Sequence, residues 1–285
     1  MKQILLMMPS YYHFDEVIKD GLTKYSQYDV VSVDTSYSVS YKNFLNRGVN
    51  FLSKVFLKKN LKPEMRRKYR LYQINRSQEY EYLIVNRPDL IEKDVFELAL
   101  KKSKKSLLLL WDSLDKLPAD KEIIKKFDVV YSFDLEDCKK YGFRKIENFH
   151  FFESLPIHTV KYDAVFFGTL DSRIDDLKHL LEYLGKKNKK AHAYLNIPWG
   201  KKFQKYPRIE TLNKIIPYKK SYMYAMAGDT IIDLGHKNQN GLSFRFYEAM
   251  SFSKKIITTN AKVAQYDFYN EKNIFIIGKY NLHRI

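Results

Sequence analysis

The stretch Asn240-Gly241-Leu242-Ser243-Phe244-Arg245-Phe246-Tyr247-Glu248-Ala249-Met250, running on to Lys254-Lys255-Ile256-Ile257-Thr258-Thr259-Asn260, decides how this chain is read. It follows a strand-like run, Asp229 to Leu234, and a loop. A glycine then opens a helical pattern from Leu242 to Phe252, and a short apolar strand, Lys255 to Thr258, comes next. Strand, helix, strand is the unit of a parallel sheet. A helix N-terminus presents backbone N–H groups and the positive end of the helix dipole, so this one can hold a diphosphate. Arg245, in the first turn or so, can add a charge-assisted contact. Glu248 lies one turn on along the same face and can accept hydrogen bonds from two ribose hydroxyls. The alternative is that Arg245 and Glu248 simply pair with each other. Thr258, Thr259 and Asn260 are expected at the edge of the sheet where a ligand would sit.

The same alternation extends outward in both directions. Upstream, strands are expected at Ala164 to Phe167 and Lys190 to Leu195, with helices at Ile174 to Leu184 and Lys219 to Ala227. Downstream lies a last strand, Ile274 to Ile277. An independent series fills the first half. Ile4 to Met8 is a continuous apolar run, as a strand covered on both faces requires. Further strands are expected at Tyr28 to Val33, Tyr82 to Asn86, Ser106 to Leu110 and Val129 to Phe133. Helices are expected at Asp15 to Lys24, Val95 to Lys102, Lys121 to Lys126 and Asp134 to Tyr141. The stretch from Tyr41 to Glu79 is long, basic and helical in pattern, split near Pro63. The rhythm breaks between Glu147 and Tyr162, around Pro156. Two domains follow from this, residues 1–155 and 156–285. Each is a Rossmann-like α/β unit whose ligands lie beyond the carboxyl ends of its strands.

Composition sets the outer limits. A chain of 285 residues with 45% hydrophobic content can build two ordered cores. The single cysteine, Cys138, excludes an internal disulfide framework and suits a reducing compartment. Met1 to Pro9 reads as a buried strand rather than a signal peptide, and no apolar run is long enough to span a bilayer, so the expected location is cytoplasmic. Fifty Lys and Arg against thirty-three Asp and Glu give a net charge of +17, a field that attracts polyanions. No nucleic-acid-binding signature accompanies the paired lysines, so a phosphorylated small molecule or the anionic inner face of the plasma membrane is expected in place of nucleic acid; the alternative is that they form only a solvated, lysine-rich surface. The sequence carries no P-loop, no Gly-x-Gly-x-x-Gly after the first strand, no Gly-x-Ser-x-Gly elbow and no His/Cys cluster of zinc spacing. No metal site is expected.

The Gly241 to Asn260 block resembles the donor-site helix of bacterial GT-B glycosyltransferases that make capsule and lipopolysaccharide (glycosyl transferases group 1-like, CgeB-like). Asp163-Ala-Val-Phe-Phe-Gly-Thr-Leu-Asp-Ser-Arg173 looks like the first strand and loop of their C-terminal domain. Met8-Pro9-Ser10-Tyr11 looks like their first N-terminal loop, and Leu110-Trp111-Asp112-Ser113 and Tyr131-Ser132-Phe133-Asp134 match further loops. The resemblance implies two Rossmann-like domains with parallel sheets facing a central cleft. It implies transfer of a sugar from a nucleotide-diphosphate donor to a glycan or lipid-linked acceptor without a metal. Gly241, Leu242, Ser243 and Phe244 would give main-chain contacts to the diphosphate, Arg245 would neutralise phosphate, and Glu248 would hold the ribose. Gly168 and Thr169 would admit phosphate or sugar closely, and Arg173 would reach phosphate or else pair with Asp176. Many retaining members carry a second glutamate eight positions before the one matched by Glu248; that place is Asn240 here, so the resemblance does not extend to their retaining chemistry. Members usually finish with a helix crossing back to the first domain, and only Gly278 to Ile285 follow the last strand.

An inverting enzyme needs a base to deprotonate the acceptor hydroxyl. His13, Asp15 and Glu16, just past the first strand, and Asp112, at the end of another, are the candidates; Asp15 and Asp112 could equally cap helices. Two other activities share parts of this reading. A sugar-nucleotide epimerase or hydrolase of the same fold would act on the donor alone, and a basic nucleic-acid binder would explain the charge but not the Gly241 block. Replacing Glu248 with Ala is expected to cause a large loss of nucleotide affinity while the fold is retained.

Overall fold

The computed structural model describes residues 2–37, 61–152, 159–236 and 241–278. Four expectations fall wholly or partly outside these: the first part of the basic helical stretch, the boundary at 155/156, Asn240, and the segment after Gly278. The chain divides into two compact units, Met1–Trp111 with Pro118–Ser132, and Asp112–Leu117 with Phe133–Ile285.

Strands β1 (Gln3–Met8), β2 (Asp29–Asp34), β3 (Tyr80–Val85), β4 (Ser103–Leu110), β5 (Val129–Ser132) and the two-residue β6 (Arg144–Lys145) form one six-stranded sheet in the order β2-β1-β3-β4-β5-β6. The pairings β1–β2, β1–β3, β3–β4 and β4–β5 are parallel. β1 lies inside the sheet, and its run from Ile4 to Met8 is buried throughout, as its unbroken apolar sequence requires. Helices α1 (Phe14–Tyr25), α2 (Leu61–Ile74), α3 (Lys93–Lys101) and α4 (Lys121–Ile124) make the crossovers among the described residues. Pro63 lies in the first turn of α2 as described from Leu61, a place where its missing N–H costs nothing; the residues on the other side of the expected split lie outside the described ones.

The second sheet is built from β7 (Tyr162–Thr169), β8 (Ala191–Asn196), β9 (Ile209–Leu212), β10 (Gly228–Asp233), β11 (Lys255–Thr258) and β12 (Ile274–Ile276). Its order is β12-β11-β10-β7-β8-β9 and every pairing is parallel. Numbered from its own first strand this is 3-2-1-4-5-6, the doubly wound Rossmann order, reversing between β7 and β10. Alternation along the strands divides the core into two layers. Phe166 and Ile232 face α6 (Ile174–Lys186), whose Leu177, Leu180, Leu181 and Leu184 form one apolar stripe. Ile231 and Ile256 face the other layer, with Ala225 from α7 (Tyr218–Met226) and Phe246 and Ala249 from α8 (Phe244–Ser251).

β9 was not foreseen. Its Ile-Glu-Thr-Leu has too little apolar content to stand out, because it is an outer strand with only Ile209 buried. Residues 133–152 belong with the second unit because they are tied to α8. Asn148 Nδ2 donates to the Leu242 carbonyl at 2.7 Å, and the Tyr247 hydroxyl donates to Glu147 at 2.7 Å. Within this stretch α5 (Leu135–Tyr141) is capped by Asp134, which accepts from the N–H groups of Glu136 and Asp137, and is ended by Gly142 at φ +71°, a left-handed position that favours glycine.

One buried cation holds the first unit together at the end of β2. Arg70 of α2 is 1% exposed and donates to the Thr35 and Leu90 (2.8 Å) carbonyls and to Glu92 at 2.6 Å. Replacing it by Met strands those acceptors, so Arg70→Met is expected to lower stability by about 3 kcal/mol, read as a fall in the urea midpoint. A shift within a few tenths of a kcal/mol would show that the clamp contributes nothing.

Candidate functional site

In an open α/β sheet the crevice forms where the strand order reverses, because the loops leaving the two central strands part to opposite faces. In the second unit that place lies between β7 and β10. The loop after β7 carries Asp171 and Arg173, and the loop after β10 carries Leu234, Gly235 and His236. Arg173 spans the crevice. Its guanidinium grips Asp171 through Nε (2.9 and 3.1 Å) and Nη2 (2.5 Å), while Nη1 donates to the Leu234 carbonyl at 2.5 Å. The expected alternative partner, Asp176, is not the one it takes. His236 Nε2 stands 3.8 Å from the same Asp171 carboxylate. Burial first, then the Arg173 and Lys116 cations, push the His236 pKa below the ordinary histidine value, against the pull of Asp171 and Asp112. Burial works against ionisation of Asp171, but the Arg173 hydrogen bonds outweigh it and hold the carboxyl below the ordinary range.

Three titratable groups therefore converge where the fold opens. Arg173 was expected there; Asp171 and His236 were not singled out. Asp112 joins their electrostatic neighbourhood, carrying its own ion pair to Lys116 at 2.6 Å. A signal for His236 existed, since it stands two residues past an apolar strand ending in Leu234. What sequence alone could not supply was that β10 is neighbour to β7.

The start of α8 is tied to the sheet by a buried carboxylate. Asp233, the last residue of β10 and 7% exposed, accepts from Ser243 Oγ at 2.6 Å and from Thr258 Oγ1 at 3.1 Å. Ser243 is the N-cap, accepting from the Arg245 N–H at 3.2 Å. Thr258 Oγ1 in turn accepts from the Asn260 N–H at 3.0 Å, and Asn260 Nδ2 donates to the Gly241 carbonyl at 3.2 Å. Thr259 Oγ1 accepts from the Gly235 N–H at 2.8 Å. The expected edge residues Thr258, Thr259 and Asn260 thus spend these groups on fixing the loops. Thr258 is wholly buried.

Gly168, expected to admit a ligand closely, and Gly241, expected to give a main-chain contact, each lie against an aromatic ring. A Cβ on Gly241 would stand 2.1 Å from the ring of Phe133, and one on Gly168 would stand 2.7 Å from the ring of Phe166. Packing alone is therefore a sufficient reason for glycine at both positions. Thr169 closes β7 beside Gly168, in register with Asn196 of β8. Leu242 is a core residue, 1% exposed, and Phe244 packs edge-on against Phe149 and Tyr218.

Arg245 and Glu248 pair with each other. Glu248 has no exposed surface, and its Oε1 has no hydrogen-bond donor. The Arg245 guanidinium also stacks over Phe167, 4.9 Å from the ring centroid. Burial, and next the Glu248 charge, raise the Tyr218 phenol well above its ordinary pKa. A carboxylate placed this way cannot take a ribose diol until Arg245 or Tyr218 swings aside.

The base candidates of the first unit sit at its own point of reversal, between β1 and β3. Tyr12 and His13 occupy left-handed backbone at φ +54° and +56°, uncommon for such residues and typical of functional turns. His13 Nδ1 lies 3.0 Å from Glu16, and its side chain is 55% exposed. Asp15 accepts from Ser10 Oγ at 2.7 Å. Among the described residues no group of three or more His, Cys, Asp and Glu is placed to hold a metal ion, and no helix is long and apolar enough to cross a membrane.

No family model matches the chain, and no curated protein matches it. Solved structures do. The glycotransferase of kitacinnamycin is 11% identical, over 97% of this chain and 87% of that one, with a TM-score of 0.42. SnogD, a glycosyltransferase from Streptomyces nogalater, is 12% identical over 90% and 81%, at 0.37. SsfS6, a glycosyltransferase from Streptomyces sp. SF2575 solved with thymidine diphosphate, is 10% identical over 92% and 82%, at 0.42.

Proposed function

We propose that this chain is a GT-B glycosyltransferase that moves a sugar from a nucleoside-diphosphate donor to a glycan or lipid-linked acceptor. The observation that carries this is the meeting of Arg173 and His236 on Asp171 at the β7/β10 crevice, with the N-terminal turn of α8 tied to the end of β10 through Ser243 and Asp233. That set has the chemistry a diphosphate needs: a planar guanidinium, an imidazole that gains a proton beside an anion, and oriented N–H groups. In this reading the phosphate charge is met by these groups without a metal. Transfer within surface polysaccharide synthesis, capsule or lipopolysaccharide, rests on the Gly241 to Asn260 block alone.

Donor binding then has a defined cost. Asp171 competes with phosphate for Arg173, so the donor must share or displace it. Glu248 acts only after Arg245 releases it, which links ribose binding to a turn of Arg245 toward the diphosphate. For the base, His13 is better placed than its rivals. Glu16 orients its Nδ1 side and leaves the rest of the ring accessible, whereas Asp15 is held by Ser10 and Asp112 by Lys116.

Calorimetry with UDP, GDP and TDP tests the donor site and identifies the base it prefers. Arg173→Ala is expected to weaken the preferred nucleotide at least tenfold, in line with a lost charged contact of about 1.5–3 kcal/mol. Glu248→Gln should also weaken it, with the melting temperature followed in parallel because the same change breaks the buried ion pair to Arg245. Unchanged affinity in Arg173→Ala would overturn the site.

His236 gives this site a pH signature. Its pKa is depressed in the free protein, and a bound diphosphate raises it, so binding takes up a proton. Affinity is therefore expected to rise as pH falls from the bound-state pKa toward the free-state pKa, and to level off below both. Titrations of His236→Gln should show a flatter profile than the parent chain; superimposable profiles would remove His236 from the site. For His13→Gln, roughly a hundredfold or larger drop in kcat is expected with nucleotide affinity intact. A turnover within about twofold of the parent would discard it as base.

A further inference from the structure

β8 and β9 are parallel neighbours on one flank of the second sheet, with Asn196 in register with Leu212. Both loops that leave them start side by side at the carboxyl edge of the sheet. The third residue beyond Asn196 is Trp199, and the third beyond Leu212 is Ile215. Both are turned to solvent: Trp199 is fully exposed and Ile215 is 69% exposed. The exposure of Trp199 is built in. The Lys201 N–H donates to the Pro198 carbonyl at 3.0 Å, closing a turn in which Gly200 has φ +78°, so Trp199 occupies the corner. The rest of the loop is anchored, since Phe203 and Tyr206 pack on the core and Lys178 lies over both rings.

The charges carried by the two loops themselves have one sign. From Ile197 to Arg208 the chain carries Lys201, Lys202, Lys205 and Arg208 and no acidic residue. Lys214 precedes Ile215, and α7, which follows at once, adds Lys220 and an exposed Met223. Isolated exposed apolar residues need no explanation. A tryptophan fixed at a turn corner, an isoleucine on the adjoining loop, and a fringe of lysines are the parts of an interfacial membrane anchor: apolar tips enter the headgroup region while lysines meet lipid phosphates.

We propose that this β8–β9 corner docks on an anionic lipid surface, with Trp199 and Ile215 inserted and Lys201, Lys202, Lys205 and Lys214 against the headgroups. A soluble polyanion would satisfy the lysines but gives the two apolar tips nothing to bury in, so charge and hydrophobicity together favour a bilayer. The surface is distinct from the β7/β10 crevice, and the proposal stands whether or not that crevice binds a nucleotide.

Flotation of the full chain with phosphatidylcholine vesicles, with and without phosphatidylglycerol, tests it. The chain is expected to float with the anionic vesicles only, and its tryptophan emission to shift to the blue. The shift should vanish in Trp199→Phe, which leaves Trp111 as the one remaining indole. Reversal of Lys201, Lys202 and Lys205 to Glu should reduce binding more than tenfold, since each lysine near such a surface is worth roughly fivefold. Melting temperature and nucleotide titration of the same variants separate a lost surface from a lost fold. Absence of flotation overturns the proposal. So does flotation undiminished by these changes, which would put the contact elsewhere, as does equal affinity for heparin with no emission shift, which would make the corner a polyanion site.

Discussion

The Asp233 carboxylate is the point on which the second unit turns. It lies at the end of a central strand, out of solvent, and it receives one hydroxyl from the helix that follows and one from the next strand. A buried charge is tolerated only when donors surround it. Satisfying Asp233 therefore fixes where α8 begins, through its N-cap Ser243, and where β11 ends, through Thr258. The loop geometry of the crevice follows from that. Gly235 is held by Thr259 and Gly241 by Asn260, so both ends of the connection that contains His236 are pinned to the sheet.

Charge at the crevice is arranged in balanced pairs. Arg173 is held by Asp171, Arg245 by Glu248 and Lys116 by Asp112. Each of these three cations thus has a carboxylate partner. Of the three carboxylates Glu248 is the one with no exposed surface, and its charge bears on the Tyr218 phenol.

Much of the layout was legible because strand and helix periods are local properties. The apolar run Ile4 to Met8, the leucine stripe of α6 and the paired isoleucines of β10 and β11 all announce themselves. β9 did not, because a flanking strand has little to bury. The glycines hid a contact for a related reason. Gly241 and Gly168 each lie against a ring, Phe133 from far along the chain and Phe166 from two residues away. A missing Cβ tells that something comes close without telling what.

Sequence by itself determined the alternation of elements, the two sheets and the cationic character of the chain; it opened α8 at Leu242, two residues before the Phe244 start that the Ser243–Asp233 contact fixes. These depend on neighbours a few residues apart and on summed charge. Tertiary structure alone decided which loops meet. Arg173 faces His236 because β7 lies beside β10, sixty residues further on in the chain by the Arg173–Leu234 separation of 61. Trp199 and Ile215 share a corner because β8 pairs with β9. Strand order is a property of the whole sheet, set by how the crossovers pack, and no local pattern encodes it.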